Sequence, residues 1–353
     1  MGEPVSSCWG AAQAMRTPGI DSMREALEQA WVSRERQIGG LETIHDRALR
    51  LFYGPGEVAP SDPLSGWAID GYGSTLWVTE WEGGELSAAM SDLQQATEQV
   101  YRPRGYSGAV VLRRPRQGVP EKPQMLWGSE PPEAFTVVEG SGAQAMTFEI
   151  RLLSSRHPGL FLDHQPLRHW LAHSGLLQGK QVLNTFAYTG SLSVASWKGG
   201  ASSVTTLDLS RPTIQWAERN AEWNQVPGEA RRFLVGDFFD QIPRLVKKGE
   251  SFDLVISDPP SFSRGLKRTF STQKDLLDLH GLLFSVLRPG GLLVTSINSA
   301  NVSWEKYERE VHQAAARVGR RLNLIQKIEQ PLSFPSHPAN PKSRYLKGFI
   351  FSS

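Results

Sequence analysis

The chain has 353 residues, 39% hydrophobic and 21% charged, with a formal net charge of +2, a balance that fits a packed globular protein of about two domains and excludes a disordered one. The single cysteine, Cys8, excludes a disulfide scaffold and any cysteine-ligated zinc or iron–sulfur centre. No run approaches the roughly 18 apolar residues of a membrane span, and the first thirty residues hold no apolar secretory core, so a reducing cytoplasm is the expected compartment.

Residues 1–20 are small, polar and patternless, which marks a mobile terminus. Ser22 and Glu25 stand at capping-box spacing before Ala26, Leu27, Ala30 and Trp31. That pattern predicts a helix over about 22–37, stopped by Gly39-Gly40. A second short helix is expected from Ile44 to Phe52, running into the turn-rich Gly54-Pro55-Gly56 and Pro60 to Pro63. From Gly66 the period falls to two. Leu76, Val78 and Glu80 alternate with Trp77, Thr79 and Trp81 after Gly71-Tyr72-Gly73, which predicts a β-hairpin with the two tryptophans as packing residues. A helix over Leu86–Tyr101, a strand over Ala109–Leu112 and strands near 125–127, 135–138 and 146–152 complete a small α+β unit.

After about 155 the texture changes. Strands are expected at 181–186, 203–207, 232–235, 252–257 and 292–297, with helices at 192–197, 213–223 and 276–287. Repeated βα units imply a parallel sheet with helices on both faces. Such sheets bind ligands at the carboxyl ends of their strands.

Four loops occupy those ends. The first, Asn184-Thr-Phe-Ala-Tyr-Thr-Gly190-Ser191, carries a glycine that lets backbone approach a ligand and opens a helix. It is not the dinucleotide GxGxxG, which weakens a dehydrogenase reading, and taken alone an ordinary βα turn explains it more readily than a ligand does. The second ends in Asp208, 18 residues past Gly190, where a carboxylate can accept both ribose hydroxyls of a nucleoside. Ser210 before Arg211-Pro212 is the better helix cap, which frees Asp208 for a ligand. The third is Gly236-Asp237-Phe238-Phe239; Asp237 either accepts from an adenine amino group beside Phe238 or caps the next helix. The fourth, Asp258-Pro259-Pro260-Ser261-Phe262, is the most specific: two prolines stiffen the loop, and carbonyls, a carboxylate and a flat ring face a cleft.

Together the loops resemble those of class I S-adenosylmethionine-dependent methyltransferases. The order HPGLFLDH (157–164), NTFAYTGS, TTLDLSR, AERNAEWN, DPPSFS and Tyr345-Leu-Lys-Gly-Phe349 is similar to the 23S ribosomal RNA methyltransferases of the RlmI/RlmK type over roughly residues 45–353. The resemblance implies a Rossmann-like seven-stranded class I sheet at 156–353, a smaller N-terminal α+β domain at 41–155 that grips RNA, and residues 1–40 as a mobile terminus and helix. It implies S-adenosylmethionine held by Phe161, Asp163, Ala187, Tyr188, Gly190, Asp208, Asp237, Phe238 and Asp258. Asp258, Pro259, Phe262 and Asn298 would face the target base.

Members of that family that make 5-methylcytosine use a cysteine after the fifth strand; Asn298 stands there in this chain, as in members that methylate a guanine nitrogen. Carbon 5 of cytosine needs covalent attack on the ring, whereas a ring nitrogen has its own lone pair. A guanine nitrogen of large-subunit ribosomal RNA is therefore the expected acceptor. Protein or small-molecule methylation, and a non-catalytic assembly role, remain alternatives. The PUA-type module of several family members has no counterpart here. Arg102, Arg104, Arg113, Arg114 and Arg116, and Arg264, Lys267 and Arg268, are candidate phosphate contacts. His157, His164 and His169 do not stand at zinc spacing, so no metal is expected.

Overall fold

The structure is a computed structural model, which describes residues 19–38, 46–81, 87–114, 121–264, 269–272 and 274–353. The expected mobile residues 1–18, the Gly39-Gly40 stop, and Arg116, Lys267 and Arg268 lie outside these.

The N-terminal part comprises α1 (Ile20–Ile38), β1 (Ala48–Tyr53), the single turn α2 (Gly54–Glu57), the hairpin β2 (Trp67–Tyr72) and β3 (Thr75–Trp81), α3 (Ser87–Tyr101), β4 (Gly108–Arg114) and β5 (Gln124–Gly128). The strands form one sheet in the order β1-β2-β3-β4-β5, antiparallel except for β3 against β4. Helix α1 buries Met23, Leu27, Ala30 and Trp31 in the same core as Leu93, Ala96 and Val100 of α3 and Leu51, Ile69 and Val78 of the sheet. The helix ends before residue 40, yet its apolar face belongs to the core of the unit expected at 41–155.

One expected element is corrected. Residues 48–52, read as part of a helix, are strand β1. A short run of Leu, Phe and Tyr fits either period, and pairing with β2 decides it. Arg50 lies opposite Asp70 in that register, and the two form a buried ion pair that a helix would not allow.

A second hairpin, β6 (Phe135–Glu139) and β7 (Met146–Ile150), leads into α4 (Gln165–His173). The C-terminal part then runs β8 (Gln181–Thr185), α5 (Ser191–Lys198), β9 (Ser203–Asp208), α6 (Arg211–Trp223), β10 (Arg231–Val235), α7 (Phe238–Lys247), β11 (Phe252–Ser257), the small pair β12 (Phe262–Arg264) and β13 (Thr269–Ser271), α8 (Leu276–Val286), β14 (Leu287–Asn298), α9 (Trp304–Arg317), β15 (Asn323–Ile328) and β16 (Leu346–Ser352). The main sheet has seven strands in the order β10-β9-β8-β11-β14-β16-β15. The first five are parallel and β16 is antiparallel to both neighbours. This is the Rossmann-like class I arrangement, with its order reversing between β8 and β11, the place where such sheets bind ligands.

Alternation along the strands builds two cores. Val182, Leu254, Ile256 and Val294 face α4 and α5. Leu183, Val255 and Leu293 face α7, α8 and α9. The first core also takes in Tyr72, Trp77, Val110 and Leu112 of the five-stranded sheet, so the two sheets share one apolar interior. The AERNAEWN segment supplies a polar fastening. Asn220 accepts from Glu149 N at 2.8 Å and donates to Thr189 O at 2.9 Å. Asn224, one turn on, accepts from Thr147 N at 2.9 Å and donates to its carbonyl at 2.7 Å. Two amides at i, i+4 on α6 thereby continue the ladder of β7. Among the described residues, no helix is long and apolar enough to cross a membrane.

Candidate active site

A cleft of about 460 Å³ opens at the carboxyl ends of β8, β9, β10, β11 and β14, within the range of small-molecule sites. Phe161, Asp163, Ala187, Tyr188, Asp208, Asp237, Phe238, Asp258, Pro259 and Asn298 line it together. Two of the residues named from the sequence do not. Phe262 is 54% exposed on β12. Gly190 stands behind the wall, where a β-carbon would lie 2.9 Å from that of Ala217. Its absent side chain lets α5 start against α6.

The loop after β8 is coiled tightly. Phe186, Tyr188 and Gly190 all have positive φ (54°, 50° and 75°), a conformation that costs a non-glycine residue energy unless its surroundings enforce it. Enforcement comes from ring packing. Phe186 stacks on Phe238 with centroids 4.9 Å apart, and Tyr188 meets Phe161 at 5.0 Å. The coil aims Tyr188 N at Asp208 Oδ2, 2.9 Å away. Asp208 Oδ1 accepts from Ser210 N at 3.0 Å, and Ser210 itself caps α6, its Oγ accepting from Thr213 N. Burial pushes the Asp208 carboxyl up, against the pull of these backbone donors. A carboxylate has about four acceptor sites, so the backbone donors of Tyr188, Leu209 and Ser210 do not exhaust it. Asp237 caps α7 through Oδ1, which accepts from Phe239 N at 2.8 Å, while also lining the cleft. The cap occupies Oδ1, so capping does not by itself exclude a second contact through Oδ2.

The opposite wall is a chain of polar contacts. His164 Nε2 lies 2.9 Å from Asp258 Oδ2. Ser296 Oγ donates to Asp258 Oδ1 at 2.6 Å. Burial opposes charge on both His164 and Asp258, but each outweighs that penalty on the other. The carboxylate lifts the imidazole above its ordinary value, and the imidazolium with Ser296 holds the carboxyl below its own. Tyr345 OH donates to Asp163 Oδ2 at 2.8 Å. Ser261 Oγ donates to the Asn298 carbonyl, tying the Asp258 loop to the end of β14. Asp163 Oδ1 and His164 Nδ1 are buried with no partner, the mark of groups that a bound molecule satisfies. The family resemblance points to Asp163; for His164 the sequence supports only a structural or RNA-contacting role. Among the described residues no cluster of three or more His, Cys, Asp or Glu could hold a metal.

The S-adenosylmethionine-dependent methyltransferase family matches residues 49–351. The chain belongs to that family. It is 31% identical over 292 residues to ribosomal RNA large subunit methyltransferase I of Photobacterium profundum, covering 82% of this chain and 72% of the relative. It is 30% identical to the enzyme of the same name from Aeromonas hydrophila, at 83% and 72% coverage. The fold superposes on the methyltransferase SMU.776, complexed with SAH, with a TM-score of 0.84 and 25% identity over 96% of this chain and 83% of that one. The protein is therefore a methyltransferase that uses S-adenosylmethionine.

The cleft of this methyltransferase fits that cofactor. Four carboxylates, of Asp163, Asp208, Asp237 and Asp258, and apolar rings such as Phe238 suit a ribose, an ammonium group, an amino-purine and a sulfonium charge, and the unpartnered Asp163 Oδ1 is an acceptor in want of a donor.

Beside the cleft the methyltransferase has a second chamber of about 300 Å³, which sequence reasoning missed. Arg50, Asp70, Thr79, Trp81, Arg114 and Tyr345 line it, and it shares His157, Phe161 and Asn298 with the cleft. Arg50 donates through Nε and a terminal nitrogen to both oxygens of Asp70, at 2.7 and 2.8 Å. Burial, then Arg114 and Arg156, push His157 down to about 4, so its ring is neutral. The expected arginine cluster divides. Arg102, Arg104 and Arg113 pair with Glu98, Glu28 and Glu80, while Arg114 turns to Arg156 O and the His157 ring. Trp77 is core, as expected, but Trp81 is half-buried in the chamber wall. The available signal was opposite charge at facing positions of two apolar strands, and the helical reading of 44–52 concealed it.

Proposed function

We propose that this methyltransferase acts in the cytoplasm on large-subunit ribosomal RNA, and that the acceptor is a guanine nitrogen. The relatives' names support the RNA class. The carrying observation for the atom is Asn298: it lines the cleft at the tip of β14, and no cysteine occurs among the described residues. A cytosine carbon-5 acceptor lacks its nucleophile there.

When bound, S-adenosylmethionine supplies an electrophilic methyl group on positive sulfur. The residues of this chain would do the rest. Asp208 accepts from the ribose hydroxyls, and Asp237 and Phe238 hold the adenine by its amino group and its face. The backbone of Ala187 and Tyr188 shapes the floor under the methionine part, on a coil that Gly190 lets pack against α6. Asp163 Oδ1 accepts from its ammonium group beneath Phe161. Asp258 stays ionised between His164 and Ser296, so it accepts from an N–H of the base and adds negative potential near the sulfonium. The Pro259 carbonyl and the Asn298 amide fix the base edge. Positioning of this kind carries most of the work when the electrophile is already activated.

Two measurements test this. Calorimetry with S-adenosylmethionine should show binding that Asp208→Ala weakens by at least tenfold; equal affinity of the variant removes Asp208 from the site. Mass mapping of ribosomal RNA nucleosides, with and without the gene, should reveal one methylguanosine that depends on it. A gene-dependent 5-methylcytosine instead would overturn the assignment of the atom. Label incorporated into protein and not RNA would favour the alternative acceptor class.

A further inference from the structure

We propose that the chamber between the two sheets seats the target nucleobase, turned out of its RNA strand, with the Arg50–Asp70 pair reading its edge and Trp81 covering its face. This rests on the RNA reading above and goes beyond it by assigning the substrate site to residues of the five-stranded sheet.

Position is the first argument. The chamber adjoins the cofactor cleft, with His157, Phe161 and Asn298 lining both. An acceptor in it lies next to the loop that holds Asp258. A base must leave its stack to reach such a place.

Chemistry is the second. A buried ion pair is weak support for stability, because apolar residues of the same volume do as well. Here the pair forms the wall of an open chamber rather than the middle of a core. The Arg50 guanidinium is fixed 4.1 Å from the Phe334 ring centroid, and the Arg50 carbonyl accepts from Arg34 Nε at 3.2 Å. Arg50 donates to Asp70 through two nitrogens, and its third nitrogen has no hydrogen-bond partner among the described residues. Each Asp70 oxygen accepts one bond from Arg50 and retains a lone pair. The pair therefore offers a donor beside an acceptor, the complement of a base edge that carries an acceptor beside a donor. Trp81 supplies a flat surface at the end of β3, and base stacking tolerates any base.

Charge is the third. Arg114 Nη2 donates to Arg156 O at 2.8 Å, while its Nε is buried without a partner. A phosphate oxygen of the flanking backbone would satisfy it.

The test measures equilibrium binding of end-labelled single-stranded hexamers rA, rC, rG and rU to the protein loaded with S-adenosylhomocysteine, by fluorescence anisotropy. Trp81→Ala and Asp70→Asn should each weaken the preferred hexamer by about tenfold, as loss of one stacking or edge contact does. S-adenosylhomocysteine affinity, measured on the same samples, should stay within about twofold. Arg114→Gln should weaken all hexamers alike and flatten the salt dependence by about one phosphate. Unchanged hexamer affinity in both chamber variants overturns the proposal. So does a matching loss of S-adenosylhomocysteine affinity, which would mean a collapsed wall. If either variant fails to fold by thermal melting, Arg50→Lys replaces it and is held to the same criterion. Wild-type protein that binds hexamers in the chamber yet transfers no methyl to RNA would refute the proposed reaction and leave the chamber assignment standing. Wild-type protein that binds none refutes the chamber.

Discussion

His164 Nε2 and Asp258 Oδ2 are 2.9 Å apart, joining the segment that precedes α4 to the loop that follows β11. The contact has a directional consequence for pH. His164 is raised above 6.5 in the fold, so its contribution to stability is fully present below about 6.5 and is lost as the pH rises through the raised value. Asp258 is depressed below 3.8, so its contribution is present above 3.8 and is lost as the pH falls through the depressed value. The pair therefore stabilises most between those limits. His164→Gln should lower stability by about 2 kcal/mol, the usual cost of a charged hydrogen bond, and the gap to wild type should narrow as the buffer becomes alkaline. Thermal melts of both proteins at pH 5.5 and 9 check this; a constant gap refutes the pairing as a charged one.

His280 is the converse case. Its Nδ1 lies 2.7 Å from the Leu276 carbonyl and its Nε2 lies 3.0 Å from Thr295 Oγ1. A carbonyl only accepts, so the proton sits on Nδ1, Nε2 accepts from Thr295, and Tyr307 OH donates to Thr295 at 2.6 Å. Burial holds this imidazole at about 4, against an ordinary 6.5. The neutral form is the folded form, so its contribution is present above about 6.5 and is lost as the pH falls toward 4, by roughly 3 kcal/mol in all. A His280→Gln variant should show a shallower loss of melting temperature between pH 6.5 and 4 than wild type.

Asn220 is fully buried and serves two backbone groups of different segments. Asn220→Ala leaves Glu149 N–H and Thr189 C=O unsatisfied, and should cost about 2 to 4 kcal/mol. Because the lost bonds fasten β7, brief proteolysis should cut the variant sooner within residues 121–155 than elsewhere. Chemical denaturation combined with mass analysis of the fragments reads both effects.

Gly190 tests backbone shape against side-chain space. Gly190→Ala brings a β-carbon to 2.9 Å from that of Ala217 at φ 75°. The expected loss is about 1 to 3 kcal/mol. Adding Ala217→Gly removes the close contact and leaves the backbone strain, so melting temperature should recover in part only. Full recovery would mean that φ carries no cost there.

Much of this site was legible in the sequence because its loops are defined by local residue type. Asp208, Asp237, Asp258 and Asn298 all follow apolar runs that read as strands, and a strand's end fixes where its next residue goes. Ser210 was legible as a cap for the same reason. At Gly190 the residue type alone does not separate two uses: a glycine that admits a ligand and one that admits a neighbouring helix look alike until Ala217 is seen beside it. The N-terminal wall was not legible, since Arg50 and Asp70 are 20 residues apart and become neighbours only through strand register. The extent of α7 and the elements α4, α9, β15 and β16 are not legible in the sequence either. In α7, Pro243 interrupts the helical signal, and β15 shows five exposed residues in a row before Ile328, with no alternation to detect.

The shared interior of the two sheets sets how an acceptor must enter. Tyr72, Trp77, Val110 and Leu112 pack into the same apolar mass as Val182, Leu254 and Ile350. A hinge between the layers would strip that mass open to solvent with every turnover. A protein built this way acts as a mould rather than a jaw, and under the proposal above the deformation that brings donor and acceptor together falls on the guest.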